Sequence, residues 1–134
     1  MATFPLKIVA PDGVKFEGQV EQLSLRTTTG EMGFLAGHIN CVAPLGMGLA
    51  KVTMDGKSRY AACIGGMVSM ISGAATLVPT SFEWADEIDL ERAQRSASEA
   101  QAVLQAKDAS KVDIKLAEAR LRRALVRQSA ASHK

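Results

Sequence analysis

The chain has 134 residues, with 16 Lys and Arg against 14 Asp and Glu, a formal charge of +2, 47% apolar and 22% charged residues. That length favours one core, or one compact domain with a small appendage, and needs no disulfide or metal staple. The near-neutral balance speaks against a dedicated nucleic-acid binder, which is strongly basic, and the apolar content excludes a disordered chain.

The first stretch reads as short strands separated by turns. Residues 6–9 form an apolar run ended by Pro11-Asp12-Gly13, residues 14–21 alternate apolar and polar, and residues 23–26 continue the alternation. Residues 49–54 and 57–60 flank Asp55-Gly56, the signal of a type I′ hairpin turn. Residues 67–71 and 74–78 flank Ser72-Gly73 in the same way. Residues 60–82 carry no charge, and about 20 such residues span a bilayer. Their Gly, Ser, Thr and Pro punctuation instead describes two strands and a turn. Cys41 and Cys63 lie in apolar stretches outside any C-x-x-C pair and read as buried free thiols. The N-terminus lacks the charged-then-apolar signature of a secretory signal, which predicts a chain that is cytosolic or faces the cytosol. Many short strands with a period of two predict an antiparallel β-sandwich over residues 1–85.

After Pro79 the composition changes. All eleven Gly and all four Pro lie at or before that residue, whereas residues 85–134 hold twelve Ala. Ala and long straight side chains favour helix, so residues 86–134 are predicted to form an antiparallel two-helix hairpin. Leu90, Ala93, Ala97, Ala100 and Leu104 recur at helical steps, and Ile114, Ala117, Leu121 and Ala124 do the same on the next helix. Asp89 is placed to cap the first helix and Ser110 with Asp113 to cap the second. The connection over 107–110 is short enough to force antiparallel packing. An alanine seam buries little area per residue, which predicts a hairpin weakly held together and able to open or redock.

No nucleophile, acid–base or phosphate-loop motif is present, and His, Cys and carboxylates are too scattered for a metal site. No catalytic residue is assigned. Two stretches carry more information. Thr29-Gly30-Glu31-Met32-Gly33-Phe34-Leu35-Ala36-Gly37-His38 reads as a tight, irregular loop anchored by Met32, Phe34 and Leu35, with Glu31 and His38 projecting outward, or as an ordinary strand–loop–strand connection. In Ile88-Asp89-Leu90-Glu91-Arg92-Ala93, Arg92 lies one turn beyond the capping Asp89. Arg123 and Arg127 share a face of the second helix, in a cluster with Arg120 and Arg122. A helix start and guanidinium forks suit phosphate oxygens; the same residues also read as a cap and solvated arginines.

The order and spacing of these motifs, with Ile64-Gly65-Gly66-Met67-Val68 between them, resemble the epsilon-subunit family of bacterial F-type ATP synthases over essentially the whole chain. The resemblance implies a non-catalytic subunit of the rotary central stalk, peripheral to the cytoplasmic face of the cell membrane. Its sandwich would bind the gamma subunit and sit on the ring of c subunits, with Glu31 and His38 facing that ring. Relatives often carry Pro where this chain has Asn40, which alters the rigidity of that loop. The resemblance also implies that the hairpin switches between a folded state and an extended state that reaches the alpha/beta catalytic head and inhibits ATP hydrolysis. In some members the folded state binds ATP as a regulatory ligand, with no cofactor required. The matching positions here are Ile88, Asp89, Arg92, Ala93, Arg123 and Arg127, with Glu83 as a further contact. The competing reading is a stand-alone ATP-sensing module that needs no gamma partner.

Overall fold

The computed structural model describes residues 2–133. Met1 and Lys134, the outermost residues of the two predicted segments, lie outside the described residues. Eight strands come first: β1 (Phe4–Ala10), β2 (Gly13–Val20), β3 (Gln22–Thr27), β4 (Gly30–Leu35), β5 (Cys41–Pro44), β6 (Met47–Met54), β7 (Lys57–Ile71) and β8 (Ala74–Trp84). A 3-10 turn (Ala85–Glu87) leads to α1 (Leu90–Gln105) and α2 (Lys111–Ala131). The β-sandwich followed by two helices is the predicted fold class.

The strands hydrogen-bond in the order β2-β1-β8-β7-β6-β3-β4, with β5 also on β7. The 15-residue β7 explains how one ladder makes two layers. Residues 57–64 pair with β6, residues 67–70 pair with β5, and β8 follows β7 along both halves. Between the halves, Gly65 and Gly66 take φ of 65° and 99°. At Gly66 a Cβ would lie 2.1 Å from the Val78 carbonyl oxygen and 2.6 Å from Pro79 Cα. Only glycine permits this close crossing, and opposite it Pro79 needs no ladder donor. The two strands were predicted to be separate pieces over 57–60 and 67–71. The glycine pair bends one continuous strand instead of ending it.

The fold also departs from the sequence reading in its details. The pairing is antiparallel except between β1 and β8, which run parallel with Leu6 opposite Ala75 and Ile8 opposite Leu77. These strands are separated by most of the sandwich, so no tight turn fixes their relative direction. The stretch over 29–38, read as an irregular loop or as a strand–loop–strand connection, is the second: it holds strand β4, paired with β3 from Gln22–Leu35 to Thr27–Gly30, and leads on to β5. Alternation then buries Phe34 completely and leaves Leu35 58% exposed, so Leu35 does not anchor the core. Cys41 is only half-buried, whereas Cys63 is buried. The two predicted turns are present: Asp55-Gly56 and Ser72-Gly73 both have positive φ at both central residues, as a type I′ turn requires.

Side chains from both layers fill one core. β1 contributes Phe4, Leu6 and Ile8, β3 contributes Leu23 and Leu25, and Phe34, Val52, Val68, Met70 and Leu77 complete its centre. Trp84 closes one end, with its ring edge-on to Phe82 and the Arg59 guanidinium 3.8 Å above it.

The helices begin at the predicted caps. Asp89 accepts a hydrogen bond from the Arg92 amide at 3.1 Å. Ser110 and Asp113 form a reciprocal capping box, at 3.1 and 3.4 Å. The buried seam consists of Ala93, Ala97 and Ala100 on α1, with Ala117 and Ala124 on α2. Leu90, predicted to lie on this seam, is the first residue of α1 and is 40% exposed, while Ala93 one turn on is buried. The end of α2 docks on the sheet, where Ala130 and Ala131 join Ile88 and Ala62 and the His133 ring stacks on Tyr60 at 4.2 Å. Among the described residues, no helix is long and apolar enough to cross a membrane.

A candidate anion-binding cleft beneath the hairpin

Where the sandwich ends, three elements converge. Glu83 is the penultimate residue of β8, Asp89 caps α1, and α2 returns over both. On α1, Arg92, Arg95, Ser96 and Glu99 follow one another at steps of three, one and three, a single helical face. Arg120, Arg123 and Arg127 do the same on α2. These faces border a cleft of about 640 Å³. Glu83, Ile88, Asp89, Arg92, Ala93, Arg123 and Arg127, the residues singled out from the sequence, all line it.

Two ion pairs cross the cleft walls. Arg127 Nε donates to Glu83 Oε1 at 2.5 Å and joins α2 to the end of β8. Arg120 donates to Glu99, and its Nε donates to Ser96 Oγ at 2.9 Å, joining α2 to α1. Among the described residues, Arg92, Arg95 and Arg123 enter no ion pair. Five guanidiniums and four carboxylates line the space. The buried Ile88 and Ala93 give it a small apolar floor. Such a cleft suits a ligand with an extended anionic part, bound by forked N–H donors, and a compact part resting on apolar surface.

Sequence reasoning missed Glu87, Arg95, Ser96, Glu99 and Arg120 as lining residues. Helical spacing from Arg92 and from Arg123 was the available signal, but it does not say which face of each helix the hairpin turns inward.

Glu31 and His38 lie outside this cleft, towards opposite ends of β4. Glu31 is the second residue of β4, is exposed and lies 3.7 Å from Arg26. His38 follows the far end of that strand, and at ~3.4 Å per residue about 14 Å of strand separates positions 31 and 35. The His38 ring packs on Phe34 with centroids 4.8 Å apart, and its Nδ1 lies 2.8 Å from the Ile39 carbonyl. Beyond His38 the outer surface is apolar. Pro44, Met67 and Val78 are aligned across β5, β7 and β8, and all three are exposed, as are Val42 and Ile39.

Both parts of the chain match known proteins. Residues 3–85 match the family model of the ATP synthase delta/epsilon chain β-sandwich domain, and residues 86–132 match that of its long α-helix domain. An ATP synthase epsilon chain of Bacillus cytotoxicus is 42% identical over 127 residues, 95% of each chain. One of Ruminococcus albus is 41% identical over 135 residues, the whole of both. A chain in the Euglena gracilis mitochondrial ATP synthase structure has 27% identity and a TM-score of 0.85, covering 99% of this chain and 83% of that one. This chain therefore belongs to the ATP synthase delta/epsilon family, with an epsilon-chain sandwich and an epsilon-chain helical domain.

Proposed function

We propose that this chain is a non-catalytic subunit of the central stalk of an F-type ATP synthase, binding gamma and the c-ring through its sandwich. Its hairpin regulates ATP hydrolysis, and the cleft beneath the folded hairpin takes ATP. Two solved neighbours support the stalk reading: the Euglena structure comprises F1 and c-ring, and the Tetrahymena thermophila one, whose likeness at 11% identity is one of fold alone, is a central stalk with c-ring. The exposed apolar row of Pro44, Met67 and Val78 supports a protein-facing surface on the sandwich, since such rows on monomers mark partners. The chain attaches peripherally to the membrane, through its complex.

The observation that carries the ligand reading is the convergence of residues from three separate chain segments, Glu83, Asp89–Arg92 and Arg123–Arg127, on one cleft. The guanidiniums hold the phosphates, and the base rests near Ile88 and Ala93. A ligand stabilises the folded hairpin only by its preference for that state, and a molecule bridging α1 and α2 has that preference.

Two experiments test this reading. Affinity purification of the tagged chain from its own cells recovers gamma and the catalytic head; recovery of the chain alone refutes the stalk assignment and favours the stand-alone module. Calorimetry detects ATP binding to the isolated chain, and Arg123→Ala or Arg127→Ala weakens it by ~1–3 kcal/mol, the range for losing a charge-assisted hydrogen bond. Absence of any ATP binding to the unaltered chain removes the ligand and leaves the stalk assignment in place.

A further inference from the structure

In two places the protein supplies its own anion to a guanidinium lining the cleft: Arg127–Glu83 joins α2 to the end of β8, and Arg120–Glu99 joins α2 to α1. Glu99 lies on α1 and Arg120 on α2, both side chains are substantially exposed at 62% and 43%, and Ser96 fixes Arg120 Nε at 2.9 Å. The neighbouring Arg92, Arg95 and Arg123 have no such partner among the described residues. Glu99 also stands about two turns along α1 from Arg92 and nearly three from the capping Asp89. It therefore occupies the end of the cleft away from the α1 N-terminus, where the outermost phosphate of a ligand lying along the helix would arrive.

We infer that Glu99 is a built-in competitor for the terminal phosphate of a nucleotide in this cleft. It holds Arg120 while no ligand is bound and so lowers the affinity for a triphosphate more than for a diphosphate. This inference rests on the ligand reading above. The pair has two effects of opposite sign. It ties α1 to α2 in the unliganded hairpin, and it withholds one guanidinium from the ligand. A carboxylate beside the incoming phosphate also repels it, and that repulsion is strongest for the most highly charged ligand.

The test uses the full chain with Glu99→Gln, which keeps the side-chain volume and removes the charge. Calorimetry with ATP and with ADP is paired with hydrogen exchange of residues 111–124 in the absence of nucleotide. Glu99→Gln is expected to bind ATP about tenfold more tightly, the effect of one freed charge-assisted interaction, with ADP affinity changed by about twofold or less. Without nucleotide, the same variant exchanges faster over 111–124, because the clasp is gone. The gain in ATP affinity disappears when Arg120→Gln is added. A merely structural role for Glu99 predicts faster exchange with unchanged or weaker ATP binding, and that result overturns the inference while the ligand reading stands. Equal gains for ATP and ADP overturn the assignment to the terminal phosphate. If neither the unaltered chain nor Glu99→Gln binds nucleotide, both the inference and the ligand reading fall. Tight ATP binding by the variant alone supports the inference in its strongest form.

Discussion

In the sandwich the completely buried residues include Phe4, Leu6, Ile8, Leu23, Leu25, Phe34 and Leu77, whereas every buried residue of α1 and α2 is an alanine. Burial contributes about 25 cal/mol per Å² of apolar surface, so each seam position of the hairpin contributes far less than a leucine of the sandwich. The hairpin compensates with polar links: two capped helices, the Arg120–Ser96 and Arg120–Glu99 contacts, the Arg127–Glu83 pair, and Gln128 reaching the Ala93 carbonyl at 3.5 Å. These links are partly exposed, and exposed pairs contribute little and weaken with salt. One region is held by interlocked volume. The other is held by a thin seam and a set of replaceable hydrogen bonds, an arrangement suited to opening without unfolding the rest.

The sharpest way to break this contrast is at the bend. Gly66→Ala places a methyl group 2.1 Å from the Val78 carbonyl and is expected to cost ~3 kcal/mol or more or prevent folding. Urea unfolding followed by Trp84 fluorescence measures it, and a loss below about 1 kcal/mol would mean that the crossing is not rigid. Next, Leu25→Ala empties fully buried volume and is expected to cost ~2–5 kcal/mol in the global transition. Ala124→Gly, also at a fully buried position, is expected to cost only about 1 kcal/mol. Its effect should be confined to faster hydrogen exchange in the helices. Equal slowing of exchange in α2 and in β3 of the unaltered chain would erase the distinction.

Smaller again is the loss of a cap. Asp89→Ala removes the acceptor for the Arg92 amide and is expected to destabilise the start of α1 by ~1 kcal/mol, read as faster exchange over 90–95 with the sandwich unaffected. The last prediction concerns pH and belongs to the sandwich alone. Burial pushes the Cys63 thiol up from 9.0 to about 12. The folded state therefore keeps a neutral thiol where the unfolded chain ionises, and the corresponding stability is present below pH 9 and lost as pH rises toward 12. Alkaline unfolding curves of Cys63→Ala should show a shallower decline across that window. At neutral pH a thiol reagent should label the half-buried Cys41 and leave Cys63 protected until global unfolding.

The strands that alternate cleanly were legible in the sequence, as were both type I′ turns and both helix caps, because each depends on residues within a few positions of one another. β4 and β5 were not. Gly30 and Gly33 weaken the strand signal of β4, and the four residues of β5 are too few to show a period. The Gly65-Gly66 pair read as punctuation, because a sequence does not reveal that β8 passes beneath it. At the cleft, Asp89, Arg92, Arg123 and Arg127 could be named from spacing and resemblance. Glu99 and Ser96 could not, since their part depends on which face of α1 meets α2.

What the sequence determined by itself is local: where the chain turns, where helices begin, and that a turn-rich, glycine-punctuated first part gives way to an alanine-rich second part. What only the tertiary structure decided is the parallel pairing of β1 with β8, the doubling of β7 and β8 across both layers, and the docking of α2 that closes a charged cleft against Glu83. These outcomes join residues tens of positions apart. Their geometry is selected by mutual burial and charge pairing across the folded molecule, which short-range propensity and periodicity do not encode.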